Sequence, residues 1–141
     1  SKVPETPIFW IAPVRYRFMQ LMDELDIKVR WDFPEEWLTE PTALQCLTLI
    51  RIVEESLTNI IKHSQASEVE VKLYYLTADQ LCLSIQDNGV GFDHESVQQN
   101  GLSIGMRSMR MRMERLGGEL NIQSEHGRTM IQAILPLNVK V

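Results

Sequence analysis

A chain of 141 residues with 44% hydrophobic and 23% charged positions is long enough to bury one sizeable core and has the composition of a globular domain. Its 19 acidic and 14 basic residues give a net charge of −5, which argues against general affinity for nucleic acid or an anionic membrane, so any bound anion must be held locally. Cys46 and Cys82 show no metal or disulfide spacing and read as buried reduced thiols, while no apolar run approaches the ~20 residues of a membrane span. The expectation is one domain over residues 1–141, and Ser1 in place of an initiator Met suggests a piece of a larger cytoplasmic protein.

Pro4, Pro7 and Pro13 make residues 1–13 an expected irregular start. From Val14 the apolar residues Phe18, Leu21, Met22 and Leu25 recur at helical spacing. Ile27, Val29, Trp31 and Phe33 then alternate with charged residues, as in a strand with one buried face. Pro34 closes that strand, and Thr39 or Thr42 with Pro41 opens a long helix from about 41 to 63. On a 100° wheel, Ile50, Val53, Leu57, Ile60 and Ile61 share an apolar arc, and Glu55, Asn59, Lys62 and His63 gather on the other side.

That polar side fits a solvated helix face as far as Glu and Lys are concerned. Asn59 fits it less well, because Asn is an indifferent helix former. Its side-chain oxygen is a hard neutral ligand suited to magnesium held by phosphates and water, and a carboxylate one turn earlier suits orientation or deprotonation of an attacking group. Two alternating strands follow, Val69 to Tyr75 and Leu81 to Ile85, joined by a hairpin at Ala78-Asp79. They lead into Asp87-Asn88-Gly89-Val90-Gly91-Phe92, where closely spaced glycines allow a sharp turn and close approach of backbone to a ligand. Asp87 at the strand end suits an exocyclic amino group such as that of adenine.

Residues 93–105 are polar, with Gly101 and Gly105, and read as a functional loop. Met106, Met109, Met113 and Leu116 then mark a helix whose methionines suit packing, with Arg107, Arg110, Arg112 and Arg115 on its remaining surface. Gly117-Gly118 ends it, and two last strands run around Leu120 to Ile122 and Met130 to Leu135, separated by a turn at His126-Gly127. The element order predicts a two-layer α/β sandwich, with a mixed, mainly antiparallel sheet and helices on one face.

The run Glu55 to His63, the Asp87 to Phe92 turn, and the Met109 to Arg112 and Leu116 to Gly118 stretches, taken in that order, resemble the catalytic ATP-binding domain of bacterial sensor histidine kinases of the nitrate-sensor type. That domain shares the Bergerat fold with DNA gyrase and heat-shock chaperones. The resemblance, over roughly residues 15–137, implies that Asn59 coordinates Mg²⁺ on the phosphates of ATP, that Glu55 is the acidic residue beside the reaction centre, and that Lys62 and His63 face the phosphates. It implies further that Asp87 reads the adenine amino group, that Gly89 and Gly91 shape the pocket floor, that Gly105 is a lid glycine, and that Thr129 is the threonine after the last turn.

Two positions depart from the pattern: Ser103 stands where the first lid glycine belongs, and Arg128 where a glycine precedes the threonine. The partners implied are a dimerisation domain of the same parent protein, bearing the phosphoacceptor histidine, and a downstream response regulator. No nucleic acid or direct membrane contact is expected. A partner-switching serine kinase of the anti-sigma type, or a catalytically degenerate ATP-binding module, is the alternative.

Overall fold

A computed structural model of the chain describes residues 6–90, 104–125 and 127–137. Gly91 and the 92–103 stretch, including Gly101 and Ser103, lie outside the described residues, as do His126 and the tail from 138. Helix α1 spans Pro7–Glu24, strand β1 Lys28–Asp32 and helix α2 Ala43–Asn59, which runs on as a π-helical turn, Ile60–Ser64. The hairpin β2 (Glu68–Thr77) and β3 (Gln80–Asp87) follows, then helix α3 (Ile104–Arg115) and the strands β4 (Glu119–Glu125) and β5 (Arg128–Pro136).

The expected irregular start is corrected from Pro7 onward. Thr6 caps α1 by accepting the Phe9 N–H at 3.0 Å, and Pro7 takes a first-turn position whose missing N–H would in any case have no helical partner. Pro13 is accommodated inside the helix on its exposed side. Pro7 begins the helix and does not interrupt it. Of the two candidate starts for α2, Thr42 is the one used. It accepts the Gln45 N–H at 3.2 Å, and Gln45 Oε1 accepts the Thr42 N–H at 2.8 Å.

The five strands lie in the order β1-β2-β3-β5-β4, with β1 parallel to β2 and every other pair antiparallel. This is the mixed, mainly antiparallel sheet that the element order predicts. Odd-numbered residues of β2, β3 and β5 face the helices. Val71, Leu73, Leu83, Ile85, Ile131 and Leu135 are buried there with Leu49, Ile52, Val53 and Leu57 of α2 and Met106, Met109 and Met113 of α3. The methionine stripe is core, as its spacing suggests. Even-numbered residues of these three strands lie on the opposite face of the sheet. Among the described residues no helix is long and apolar enough to cross a membrane.

Candidate nucleotide-binding site

The last residue of β3 is Asp87, opposite Val69 on one side and Thr129 on the other. Being odd-numbered, both Asp87 and Thr129 project to the helix side at the end of the sheet, and they are only 4% and 2% exposed. Directly opposed residues of antiparallel strands bring their Cβ atoms to within about 4.5–5.5 Å, so a carboxylate and a hydroxyl share one small area. Thr129 Oγ1 lies 3.0 Å from Ser124 Oγ, and Asp87 Oδ1 accepts the Gly89 N–H at 2.8 Å. Burial pushes the Asp87 carboxyl above its ordinary value, and the Gly89 N–H partly opposes this. Ionised, such a group is an acceptor only, held in a setting that rewards any donor brought to it.

The turn after Asp87 is seated on the end of the α2 helix. Val90 N–H donates to the Ser64 carbonyl at 2.8 Å. A Cβ on Gly89 would stand 2.2 Å from that same carbonyl oxygen. Gly89 is therefore required by space, because the two backbones touch. Ser64 itself closes the π-helical turn: its Oγ donates to the Ile60 carbonyl at 3.0 Å and accepts the Ala66 N–H at 3.1 Å. The chain then reverses at Gln65, whose φ is +55°. On the opposite face, Asn88 Oδ1 accepts the N–H groups of Ser67 and Glu68, both at 2.9 Å, and its Nδ2 donates to Ser67 Oγ at 3.0 Å. The sequence reading assigns Asn88 no role, because its side-chain partners lie 20 or 21 residues away.

Asn59 and Glu55, one turn apart on α2, do not lie on a solvated face. Asn59 is 9% exposed and Glu55 half-buried, because α3 packs beside α2. Gly105, expected in a loop, is the second residue of α3. A Cβ there would meet the Glu55 carboxylate, with Oε1 at 2.4 Å and Oε2 at 2.6 Å. Since a helical Cβ leans toward the helix N-terminus, the Glu55 carboxylate rests at the positive end of α3. Lys62 and His63 are exposed on the π-helical turn, where the 100° wheel no longer places side chains correctly. Arg110 is structural: its Nε donates to the Leu120 carbonyl at 3.2 Å and ties α3 to β4.

Arg128 does not share the side of β5 that carries Thr129. It is even-numbered and exposed, so its side chain leaves β5 on the face opposite to Thr129. There it joins Lys28, Arg30, Glu68, Glu70 and Gln86 around a depression of about 590 Å³. Asp87 and Asn88 also border this depression. Arg30 and Glu70 form an ion pair across it.

A family model described as histidine kinase-, DNA gyrase B- and HSP90-like ATPase matches residues 46–139. The chain is 31% identical over 134 residues to the signal transduction histidine-protein kinase/phosphatase DegS of Bacillus subtilis, covering 92% of this chain and 34% of DegS. It is 36% identical over 122 residues to the sensor histidine kinase LiaS of the same organism, covering 84% of this chain and 32% of LiaS. The chain thus spans about a third of the length of these relatives. The histidine kinase domain of the Erythrobacter litoralis blue-light activated histidine kinase superposes with a TM-score of 0.69 at 21% identity, covering 97% of this chain and 65% of that one. A second form of that kinase gives a TM-score of 0.66 at 26% identity, covering 86% and 40%.

Proposed function

The chain belongs to the family of ATPases shared by histidine kinases, DNA gyrase B and HSP90, and we propose that it binds Mg·ATP and presents the γ-phosphoryl group to a histidine elsewhere in the same parent protein. The observation that carries this reading is the Asp87 carboxylate, buried at the strand end beside Thr129 with one oxygen already fixed by the Gly89 N–H. The adenine amino group donates to Asp87, and the glycine turn leaves the base room to approach the backbone. The phosphates extend toward α2 and its π-helical turn, where Asn59, Lys62 and His63 lie.

The residues present fit a magnesium ion. Asn59 offers a neutral, nearly buried oxygen, and among the described residues no cluster of three acidic, His or Cys side chains exists to hold a metal without phosphate. A single protein oxygen, with phosphate and water completing an octahedron, is ordinary Mg²⁺ chemistry. When bound, the ion supplies charge neutralisation on the transferring phosphoryl group. The chain's own contribution is position: Asp87 anchors the base, and Asn59 fixes the phosphate end. Glu55, held at the α3 N-terminus, orients or deprotonates the incoming imidazole. The imidazole nitrogen forms its bond to the γ-phosphorus as the bridging P–O bond breaks, leaving ADP. The acceptor histidine belongs to a separate dimerisation domain, in the cytoplasm, and the phosphoryl group passes on to a response regulator.

Titration of the domain with ATP, with and without Mg²⁺, tests this. Saturable binding is expected, greatly weakened by Asp87→Asn in both conditions and by Asn59→Ala chiefly when Mg²⁺ is present. Equal loss in Asn59→Ala with and without the metal contradicts the ligand role, and unchanged affinity in Asp87→Asn contradicts the adenine site.

A further inference from the structure

Asn88 sits in the middle of the Asp87 to Val90 turn, yet its side chain points the wrong way to touch a nucleotide. It is exposed on the opposite face, where it borders the depression around Lys28 and Arg128, while Asp87 faces the helices. Its amide is almost fully engaged. Oδ1 accepts two backbone N–H groups, from Ser67 and Glu68 at 2.9 Å each, and Nδ2 donates to Ser67 Oγ at 3.0 Å. The Asn88 backbone N–H adds a fourth bond, to the Glu68 carbonyl at 3.2 Å.

On the other side of the same turn, Val90 is tied to the Ser64 carbonyl, and Gly89 has no room to shift toward it. Residues 88 to 90 are therefore gripped from two directions by the 64–68 segment. The Gly89 N–H, which fixes one oxygen of Asp87 at 2.8 Å, lies between the two grips. The orientation of the Asp87 carboxylate is set by the position of that N–H, and the Asn88 amide pins the near side of it.

We propose that Asn88 is a positioning residue for base selection: by clamping the turn to Ser67 and Glu68 it aims the Asp87 carboxylate so that the pocket prefers a 6-amino purine over a 6-oxo purine. This deepens the adenine-binding reading above and rests on it. A fixed acceptor discriminates strongly, because a 6-oxo group presents a second acceptor where the site needs a donor. A carboxylate free to rotate discriminates less, since it can turn away from the oxo group. The triphosphate is held elsewhere, near Asn59, so loosening the clamp removes selectivity while leaving most of the phosphate-derived affinity. An Asn that merely stabilised the turn would instead weaken both nucleotides by one common factor.

The test compares Mg·ATP with Mg·inosine triphosphate, which carries an oxo group in place of the adenine amino group, by calorimetric titration of the whole chain. Wild type should favour ATP roughly 10- to 100-fold, the worth of one hydrogen bond to a charged acceptor. In Asn88→Ala the ratio should fall to within about threefold, chiefly through weaker ATP binding. Asn88→Asp keeps an acceptor for both amides, and the Ser67 hydroxyl can turn to donate to it, so the ratio should return to within about twofold of wild type. Should Asn88→Ala fail to fold, Asn88→Ser, with one short acceptor for the same amides, should give an intermediate ratio. A folded Ala or Ser variant that binds both nucleotides more weakly with the wild-type ratio intact overturns the inference alone. A wild type with no preference between the two nucleotides overturns the adenine reading along with it.

Discussion

Gly89→Ala is the substitution to which the structure attaches the largest consequence for a single added methyl group. The new Cβ would stand 2.2 Å from the Ser64 carbonyl oxygen and 2.8 Å from both the Ser64 carbonyl carbon and its Cβ. All three atoms belong to the end of the π-helical turn, two of them to its backbone, so no flexible side chain can swing aside. Accommodating the methyl must part the turn from the helix. Overpacking of this kind costs about 1–3 kcal/mol, and losing the Val90 N–H to Ser64 bond adds about 1 kcal/mol, so a total of about 2–4 kcal/mol is expected. For a chain of this size that lowers Tm by roughly 6–16 °C. ATP affinity should fall as well, because the N–H that fixes Asp87 belongs to residue 89. Urea unfolding and ATP titration of the same preparation provide the assay. Gly127→Ala is the control: nothing lies within 4 Å of its added Cβ, so only the strain of its +86° φ applies, about 1–2 kcal/mol, with ATP binding unchanged. If Gly89→Ala costs under 1 kcal/mol and binds ATP normally, the seating of the turn on Ser64 is refuted.

Gly105→Ala meets only the end of the Glu55 side chain, which can rotate, so stability should change by less than about 1 kcal/mol, helped by the better helix propensity of Ala. Transfer to the acceptor histidine in the full-length parent should drop by roughly tenfold or more as the carboxylate is displaced, with ATP affinity retained; radiolabel transfer and titration read the two separately. Asp87→Asn should be more stable than wild type at neutral pH. Because burial raises the Asp87 pKa in the fold, ionising it there costs stability that appears as pH rises above the unfolded value and is absent at lower pH. Urea unfolding should show the variant's advantage at pH 7 shrinking toward pH 4; a variant less stable at pH 7 would mean that the carboxylate is compensated. Cys46 is the alkaline counterpart. Burial, then the charge of Glu40, pushes its thiol from 9.0 to about 11, so the unfolded chain releases a proton first and stability falls by roughly 2–3 kcal/mol across that range. Cys46→Ala should flatten part of the slope, the remainder coming from Cys82, which burial shifts the same way.

The strands were legible because their alternation is strict, and alternation also fixes which side chains face the helices. Thr129 facing inward means that Arg128, which stands where a glycine is expected, faces outward. The start of α2 was legible in Thr42 and Gln45, whose side chains satisfy each other's backbone N–H groups. Two features were not. Pro7 was counted as a breaker although its position after Thr6 makes it a helix opener, and composition alone does not separate the two roles. The π-helical turn was hidden because Ile60 to Ser64 suits either helix type. The role of Asn88 was equally invisible, since the amides it holds come from the other end of a hairpin.

That turn also explains how two motifs separated in sequence form one site. A helix leaves its last carbonyls without helical partners, and a buried one must find a donor elsewhere. Ser64 closes the wider turn, and Gln65 reverses the chain in a left-handed conformation. Val90 supplies its donor. The helix that carries Glu55 and Asn59 and the strand end that carries Asp87 are thereby joined through a backbone bond. On the Mg·ATP reading proposed above, that bond and the absence of a side chain at residue 89 set the register of the phosphate end relative to the adenine end. On that reading, substitutions at Asn59 and at Asp87 are expected to act on opposite ends of one nucleotide, and a change at Gly89 on both.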